Sequence, residues 1–434
     1  MTTVAEVRLW GRTIGAVSLE AGAEVAAFQY HPAFAGSGIE VSPISTPLSN
    51  RIYTFPGLPR HSFFGLPGLL ADSLPDRFGN TLIDTWLASQ GRSPADFNAI
   101  ERLCYVGNRG MGALEFVPAV GPRAAPERTI QVEALVELAT AILSRRRDLA
   151  VSFDDSLRGR GLADLLRVGT SAAGARAKAV IAWNPATNEV RSGQVGAGQG
   201  FEYWLLKFDG VAGNRDKELD EPAGYGAIEY GYSLMARAAG IAMAESRLME
   251  ENGRRHFMTR RFDRLDGGAK LHLQSLAALA HFDFNAAGAH SYEQAFQIIR
   301  QLGLPNGAFE EQFRRMVFNI FARNQDDHVK NIAFLMDKAG GWALAPAFDM
   351  TYSYNPSGDW TSRHQMSCNG KRDQFSTTDL HAAAEAASIK RARANAIIAE
   401  TRTAVSHWEH YAEEAGVPPA WRAEIGGNLR LVLP

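Results

Sequence analysis

Cysteine is scarce in this chain of 434 residues: there are two, Cys104 and Cys368, far apart and outside any CxxC pair. That excludes a zinc ribbon and argues against a disulfide framework, so a reducing cytoplasm is expected. Long apolar runs are also missing. No stretch approaches ~18 uninterrupted apolar residues, so no membrane span is expected. The opening MTTVAEVRLWGRTIG places Glu6 and Arg8 where a signal peptide needs an apolar run. Nor does one sign of charge dominate: 45 Lys and Arg stand against 47 Asp and Glu, a formal charge of -2. That balance argues against a protein that coats nucleic acid through its global charge, while leaving room for a local basic patch. Internal repeats and low-complexity tracts are absent.

What is present has ordinary globular composition, 46% hydrophobic and 21% charged. It suffices for a sizeable core and two or three packed units. Val7 and Leu9, then Ile14, Ala16 and Val17, flank Gly11-Arg12-Thr13 in the pattern of a hairpin. The segment 66–90, LPGLLADSLPDRFGNTLIDTWLASQ, turns helical after Pro75, with Leu82, Ile83, Trp86 and Leu87 at helical spacing. PAVGPRAAPERT, 118–129, has linker composition. A short helix over 131–147 ends in Arg145, Arg146 and Arg147, which suit the negative end of its dipole. AKAVIAW (177–183) and YWLLKF (203–208) read as strands. SGQVGAGQG between them reads as a flexible connection, since a dinucleotide-binding glycine loop needs a following helix. Later come a helix over 226–239 closed by Gly240, a short strand in FMTRRFDR (257–264), and a buried helix over 308–323. Strands first and helices later predict an α+β fold. The expected units are a small mixed N-terminal one, 1–118, a strand-rich one, 130–265, and a helical one, 266–434.

The chemistry concentrates in NQDDHVKNIAFLMDKAGGWALAPAFDM, 324–350. A buried helix ends and polar residues follow at once. IAFLM, DKAGG and WALAPAF then read as strand, turn and return strand. This hairpin should deliver Asp349 beside Asp326 and Asn331. Converging carboxylates repel unless a cation neutralises them, and an Asp, Asn and Asp set of hard oxygens suits Mg²⁺. The five-residue step from Asp326 to Asn331 is that of the protein-kinase catalytic loop, where the Asp orients the substrate hydroxyl and the Asn holds metal. The HRD and DFG words are absent, so an ordinary eukaryotic-type kinase is not expected. Lys207 ends the strand YWLLKF, where it can reach phosphates, and Glu229 on the next helix can pair with it. In VGTSAAGARAKAVIAW, small residues followed by Arg176 and Lys178 allow backbone N–H groups close to phosphate. No GK[ST] ending is present, which argues against a P-loop.

These segments, in order, resemble the HipA-type toxins, kinase halves of bacterial toxin–antitoxin pairs. The resemblance covers essentially the whole chain: the opening hairpin, GLPGLLADSLPDRFG, TSAAGARAK, WLLKF, RRFDR, QDDHVKN and PAFDM. It implies a two-lobed protein-kinase-like fold with a small N-terminal mixed subdomain and a helical C-terminal lobe. Asp326 is then the catalytic base. His328, Lys330 and Asn331 belong to the catalytic loop near ATP, with Asn331 on Mg²⁺. Phe348 and Asp349 form the metal-binding pair. Lys207 lies on the ATP phosphates, and the loop Ala173, Gly174, Ala175, Arg176, Ala177 and Lys178 covers them. Arg260, Arg261 and Phe262 fall at the adenine hinge, where family members often carry Glu-Arg-Phe. Ser171 falls where the family autophosphorylates and switches itself off, with Thr170 as a neighbouring acceptor. The family's substrates are aminoacyl-tRNA synthetases, and its partner is a HipB-type helix-turn-helix antitoxin through which DNA is contacted indirectly; persistence is its phenotype.

Two other readings compete with a kinase. One is a degenerate kinase acting as co-repressor in an antitoxin–DNA complex. The other is a metal-dependent phosphohydrolase built from Asp326, Asp327, His328 and Asp349. It would need further histidines, and His281, His290 and His364 stand in no paired motif.

Overall fold

The computed structural model describes residues 2–121, 129–144, 165–166, 168–169, 176–194, 196–211, 215–216, 219–220 and 224–434. The expectations for Arg145 to Arg147, Thr170, Ser171 and Ala173 to Ala175 lie outside these residues.

The N-terminal unit is an antiparallel sheet of β1 (Thr3–Leu9), β2 (Arg12–Leu19), β3 (Ala27–Tyr30), β4 (Ile52–Tyr53) and β5 (Leu114–Val117), in the order β4-β3-β2-β1-β5. The expected hairpin is β1–β2. Trp10 and Gly11 both have positive φ, as a tight primed turn requires. Alternation puts Val7, Leu9, Ile14 and Val17 in the core with Phe28 and Phe116. The helix Arg77–Ser89 follows Pro75 as expected.

The second sheet contains β6 (Lys178–Asn184), β7 (Glu189–Ser192), β8 (Glu202–Lys207), β11 (Ser246–Glu251) and β12 (Arg254–Arg260), ordered β11-β12-β8-β6-β7 and antiparallel throughout. A two-residue ladder of β9 (Arg215–Asp216) and β10 (Leu219–Asp220) lies beyond β8. The sequence reading missed β7. EVRS is short and polar, and its pairing with β6 turns the expected connection into a hairpin plus a loop. The helix Tyr225–Ala238 packs on this sheet, and Gly240 follows its cap in the left-handed region.

The remaining lobe is helical. Asn306–Phe321 sits in its middle, buried around nearly its whole circumference by Phe309, Phe313, Met316, Val317, Phe318, Ile320 and Phe321. Around it lie Tyr292–Gln301, Thr377–Ala386, Arg391–Ser406 and Trp408–Glu414. Capping boxes at Ser291 with Gln294 and at Ser376 with Asp379 start two of these helices. A three-stranded sheet, β13 (His272–Ser275), β15 (Ala333–Met336) and β16 (Trp342–Leu344), carries the predicted hairpin, with β15 central. β14 (His290–Ser291) pairs in parallel with β17 (Met366–Ser367).

The N-terminal unit is fastened to the rest at several points. The Trp10 indole donates to the Lys270 carbonyl at 2.7 Å. Lys270 bonds Glu115 at 2.9 Å. Gly68 N–H donates to His281 Nε2 at 3.0 Å, and a Cβ on Gly68 would stand 2.2 Å from the Ala278 carbonyl oxygen, so only glycine permits this approach. Burial lowers the His281 pKa to about 4, which keeps the ring neutral and able to accept.

Candidate active site

A cleft of about 460 Å³ lies between the second sheet and the helical lobe, with the N-terminal unit along one side. β8 delivers Lys207 to it, and Lys178 on β6 is its register partner. Both side chains are buried. Glu229, on the face of its helix that meets the sheet, is 1% exposed. Lys207 Nζ bonds Glu229 Oε1 at 2.6 Å and also bonds the Asp349 carboxylate. Arg176 bonds the second Glu229 oxygen at 3.3 Å and lies 3.9 Å over the Tyr225 ring. Burial opposes the charge on Lys207, but Asp349 and Glu229 outweigh it and hold its pKa above the ordinary lysine value. Burial likewise opposes ionisation of Asp349; Lys207, then Lys178, more than compensate and hold it below the ordinary carboxylate range.

The opposite wall starts where the Asn306–Phe321 helix ends and Arg323, at φ 56°, turns the chain. Asn331 Nδ2 donates to the Asp326 carbonyl at 3.0 Å, closing the loop on itself across the five-residue spacing. The Trp360 indole N–H donates to Asp326 Oδ1 at 2.6 Å. His328 Nε2 stands 3.9 Å from the same oxygen, beyond hydrogen-bond range. The β15–β16 hairpin returns the chain as predicted. Its end is tied by Ala347 N–H to the Ala242 carbonyl at 2.8 Å and by Ala244 N–H to the Ala347 carbonyl at 3.0 Å. Asp349 itself sits at φ 56°, a conformation Asp tolerates better than most residues.

Asp327 plays another part. It faces inward, accepting from the Tyr292 hydroxyl at 2.6 Å and Gln365 N–H at 2.7 Å, and pairs with His364 Nδ1 at 2.8 Å. Burial alone would raise its pKa; His364 and these donors hold it below the ordinary value. His281 is taken by Gly68, and His290 stacks on Phe282 with ring centroids 4.3 Å apart. Among the described residues, no group of three or more His, Cys, Asp or Glu side chains converges as a metal cluster. Of the phosphohydrolase set, Asp327 is therefore turned away from the cleft that Asp326, His328 and Asp349 line.

The walls beside β12 are apolar, with Leu205, Leu273, Ala333, Phe262 and Phe348 lining them. The Phe262 and Phe348 rings lie 5.5 Å apart. Arg260 and Arg261 border the cleft, but their side chains turn elsewhere. Arg260 pairs with Glu245 at 3.0 Å. Arg261 is buried against Asp263, at 2.9 and 2.7 Å. RRFDR is thus largely an anchoring motif: Asp263 also accepts from Arg264 and from Gly112 N–H of the N-terminal unit, each at 2.7 Å.

Arg176, Lys178, Lys207, Arg260, Arg261, Phe262, Asp326, His328, Lys330, Asn331, Phe348 and Asp349 therefore all line one cleft, and Ala177 is buried just before β6. The sequence reading missed Trp360, which lies 11 residues past Asp349 with no motif to mark it. It also missed the N-terminal unit's share of the wall: Asp72, Asp76, Arg77 and Asn80. Their signal was the polar punctuation of LADSLPDRFGN within an otherwise apolar stretch.

A strand lysine paired to a helix glutamate, facing a loop Asp and Asn and a hairpin Asp across an interlobe cleft, defines a two-lobed, protein-kinase-like architecture. The family model for the HipA N-terminal domain matches residues 5–117, and that for the HipA-like C-terminal domain matches 170–408. The chain belongs to the HipA family. Among solved structures, HipA of Shewanella oneidensis MR-1, in complex with HipB and its operator DNA, shares the fold. It is 19% identical with a TM-score of 0.66, covering 98% of this chain and 95% of that one. The proinflammatory kinase CtkA of Helicobacter pylori aligns at 14% identity over 52% of this chain and 92% of that one, with a TM-score of 0.32, too low for comparison. Among curated proteins, none matches this chain significantly by sequence.

Proposed function

We propose that this protein is an ATP-dependent serine/threonine protein kinase and the toxin of a HipBA-like toxin–antitoxin pair. The observation that carries the reading is Lys207 held between Glu229 and Asp349, opposite Asp326 and Asn331 in the same cleft. That arrangement has cations for phosphates, a carboxylate for the acceptor hydroxyl, and two oxygen donors for a divalent cation.

The residues fit Mg²⁺. The Nδ2 of Asn331 is committed to the Asp326 carbonyl, which presents the amide oxygen as the donor, and Asp349 is kept ionised by Lys207. When bound by Asn331 and Asp349, the metal neutralises phosphate charge. Lys207, with Lys178 and the loop running to Arg176, holds the phosphates of ATP. The apolar walls around Phe262 and Phe348 take the adenine. Asp326, fixed by Trp360, accepts the proton of the acceptor hydroxyl while its oxygen bonds to the γ-phosphorus and the bond to ADP breaks. Ser171 is the acceptor within the chain. The phosphate there adds about -1.5 to -2 charges and switches the kinase off.

The Shewanella structure is a HipA–HipB–operator DNA complex, which supports a HipB-like helix-turn-helix antitoxin as partner and DNA contact through it. The substrate in this reading is an aminoacyl-tRNA synthetase, in the cytoplasm. Among the described residues, no helix is long and apolar enough to cross a membrane. The test is intact-mass and peptide mass spectrometry after incubating dephosphorylated wild type and Asp326→Gln with Mg-ATP. Phosphate on Ser171 in wild type alone is expected. A wild type that binds ATP and takes up no phosphate refutes the kinase and returns the co-repressor reading.

A further inference from the structure

The N-terminal unit brings more than a packing surface to the cleft. Asp76 immediately precedes the Arg77–Ser89 helix, where an Asp ordinarily accepts from the helix's own N–H groups. It makes no such capping bond. Its carboxylate is ion-paired instead with Lys330, which stands between His328 and Asn331 on the short turn Val329–Asn331. The Lys330 ammonium also lies 4.7 Å from the centre of the Phe284 ring. Asp72 is its second carboxylate neighbour, held by Ser275 N–H at 2.7 Å and Ser275 Oγ at 2.8 Å. Asp72, Asp76 and Lys330 all line the cleft that holds Asp326.

A lysine within the Asp326–Asn331 loop has one task that a buried anchor lacks: a fixed positive charge beside the phosphoryl group in transit. Left alone, a flexible four-carbon stem would spread that charge over many rotamers. We infer that Asp76 is a positioning residue for phosphoryl transfer, holding the Lys330 ammonium toward the transferred group. The N-terminal unit thereby becomes a working part of the reaction centre. The inference rests on the kinase reading.

The experiment compares full-length wild type, Asp76→Asn, Asp76→Glu, Lys330→Met and the double variant Asp76→Asn/Lys330→Met. Single-turnover ADP release from Mg-ATP gives the transfer rate, and a fluorescence titration gives ATP affinity. Asp76→Asn should slow transfer about tenfold to a hundredfold, as misplacement of a catalytic group does, with ATP affinity nearly unchanged. Asp76→Glu should restore part of the rate, and the double variant should be no slower than Lys330→Met alone. Additive losses in the double variant, or a wild-type rate in Asp76→Asn, overturn the inference in favour of a merely structural tie. If Asp76→Asn does not fold, Lys330→Met decides, since a wild-type rate there leaves Asp76 nothing to position. A wild type that binds ATP without releasing ADP sinks the kinase reading first. An active wild type with an equally active Asp76→Asn sinks this inference alone.

Discussion

Replacing Asp263 with Asn should be among the most damaging conservative changes in the molecule. Asp263 accepts from Arg261 Nε at 2.9 Å, Arg261 Nη2 at 2.7 Å, Arg264 Nη1 at 2.7 Å and Gly112 N–H at 2.7 Å. Its side chain and that of Arg261 are 0% exposed, and that of Arg264 is 4% exposed. Asn keeps the shape but removes the one charge that offsets two buried guanidiniums, and its amide turns donors toward donors. Breaking such a buried set costs about 3–5 kcal/mol. That is a large part of the ~5–15 kcal/mol that holds a typical fold. Followed by tryptophan fluorescence, the urea midpoint should fall on the order of 1 M, given typical slopes. Asp263→Asn/Arg261→Met should recover part of the loss, because one orphaned charge goes with it. A midpoint unchanged in Asp263→Asn would refute the argument. The pH dependence has a defined sign. Burial raises the Asp263 pKa, but Arg261 and Arg264 outweigh it and depress it below the ordinary value. Its contribution is therefore complete above about pH 4 and is lost as pH falls below that, toward the depressed folded value. Wild type should lose stability there more steeply than Asp263→Asn.

Trp360→Phe keeps the ring bulk and removes the N–H bonded to Asp326. It should lower the transfer rate about tenfold to a hundredfold, as misplacing a catalytic group does, with ATP affinity unchanged; equal rates would show that Asp326 needs no such support. Gly68→Ala places a methyl against the Ala278 carbonyl. It should cost about 1–3 kcal/mol as overpacking does, read as a lower urea midpoint; an unchanged midpoint would mean the interface yields freely.

The strongly patterned parts of the fold are legible in the sequence. The β1–β2 alternation, the Asn306–Phe321 stripe and the strand–turn–strand after Asn331 are local signals, and each appears where expected. The convergence of Asp326, Asn331 and Asp349 on one cleft followed from the hairpin, since a tight turn leaves the return strand little choice of direction. β7 escaped because a four-residue polar strand is defined by its neighbour's free edge, not by its own residues. The roles of Asp76 and Trp360 escaped for a related reason: each acts across 254 or 34 positions of chain. An isolated acid or aromatic carries no mark of such a partner. The sequence placed RRFDR at the cleft but did not mark it as an anchor, because burial decides which way an arginine points and sequence does not state it.

The hairpin that carries Asp349 is supported at both ends by other parts of the chain. At its far end, the Trp342 indole donates to the Glu40 carbonyl at 3.1 Å, and His272 on the adjoining strand pairs with the Val41 carbonyl at 3.0 Å. At its near end, Asp349 is bonded to Lys207 of the other sheet. It behaves as a beam spanning two abutments, with its middle strand flanked on both edges. Rotation of the first unit against the second cannot be absorbed at a free tip; it must twist the beam and move the carboxylate at its end. Removing residues 1–118 would thus do more than expose a surface: it would leave the Asp349 carboxylate on a span with one support gone.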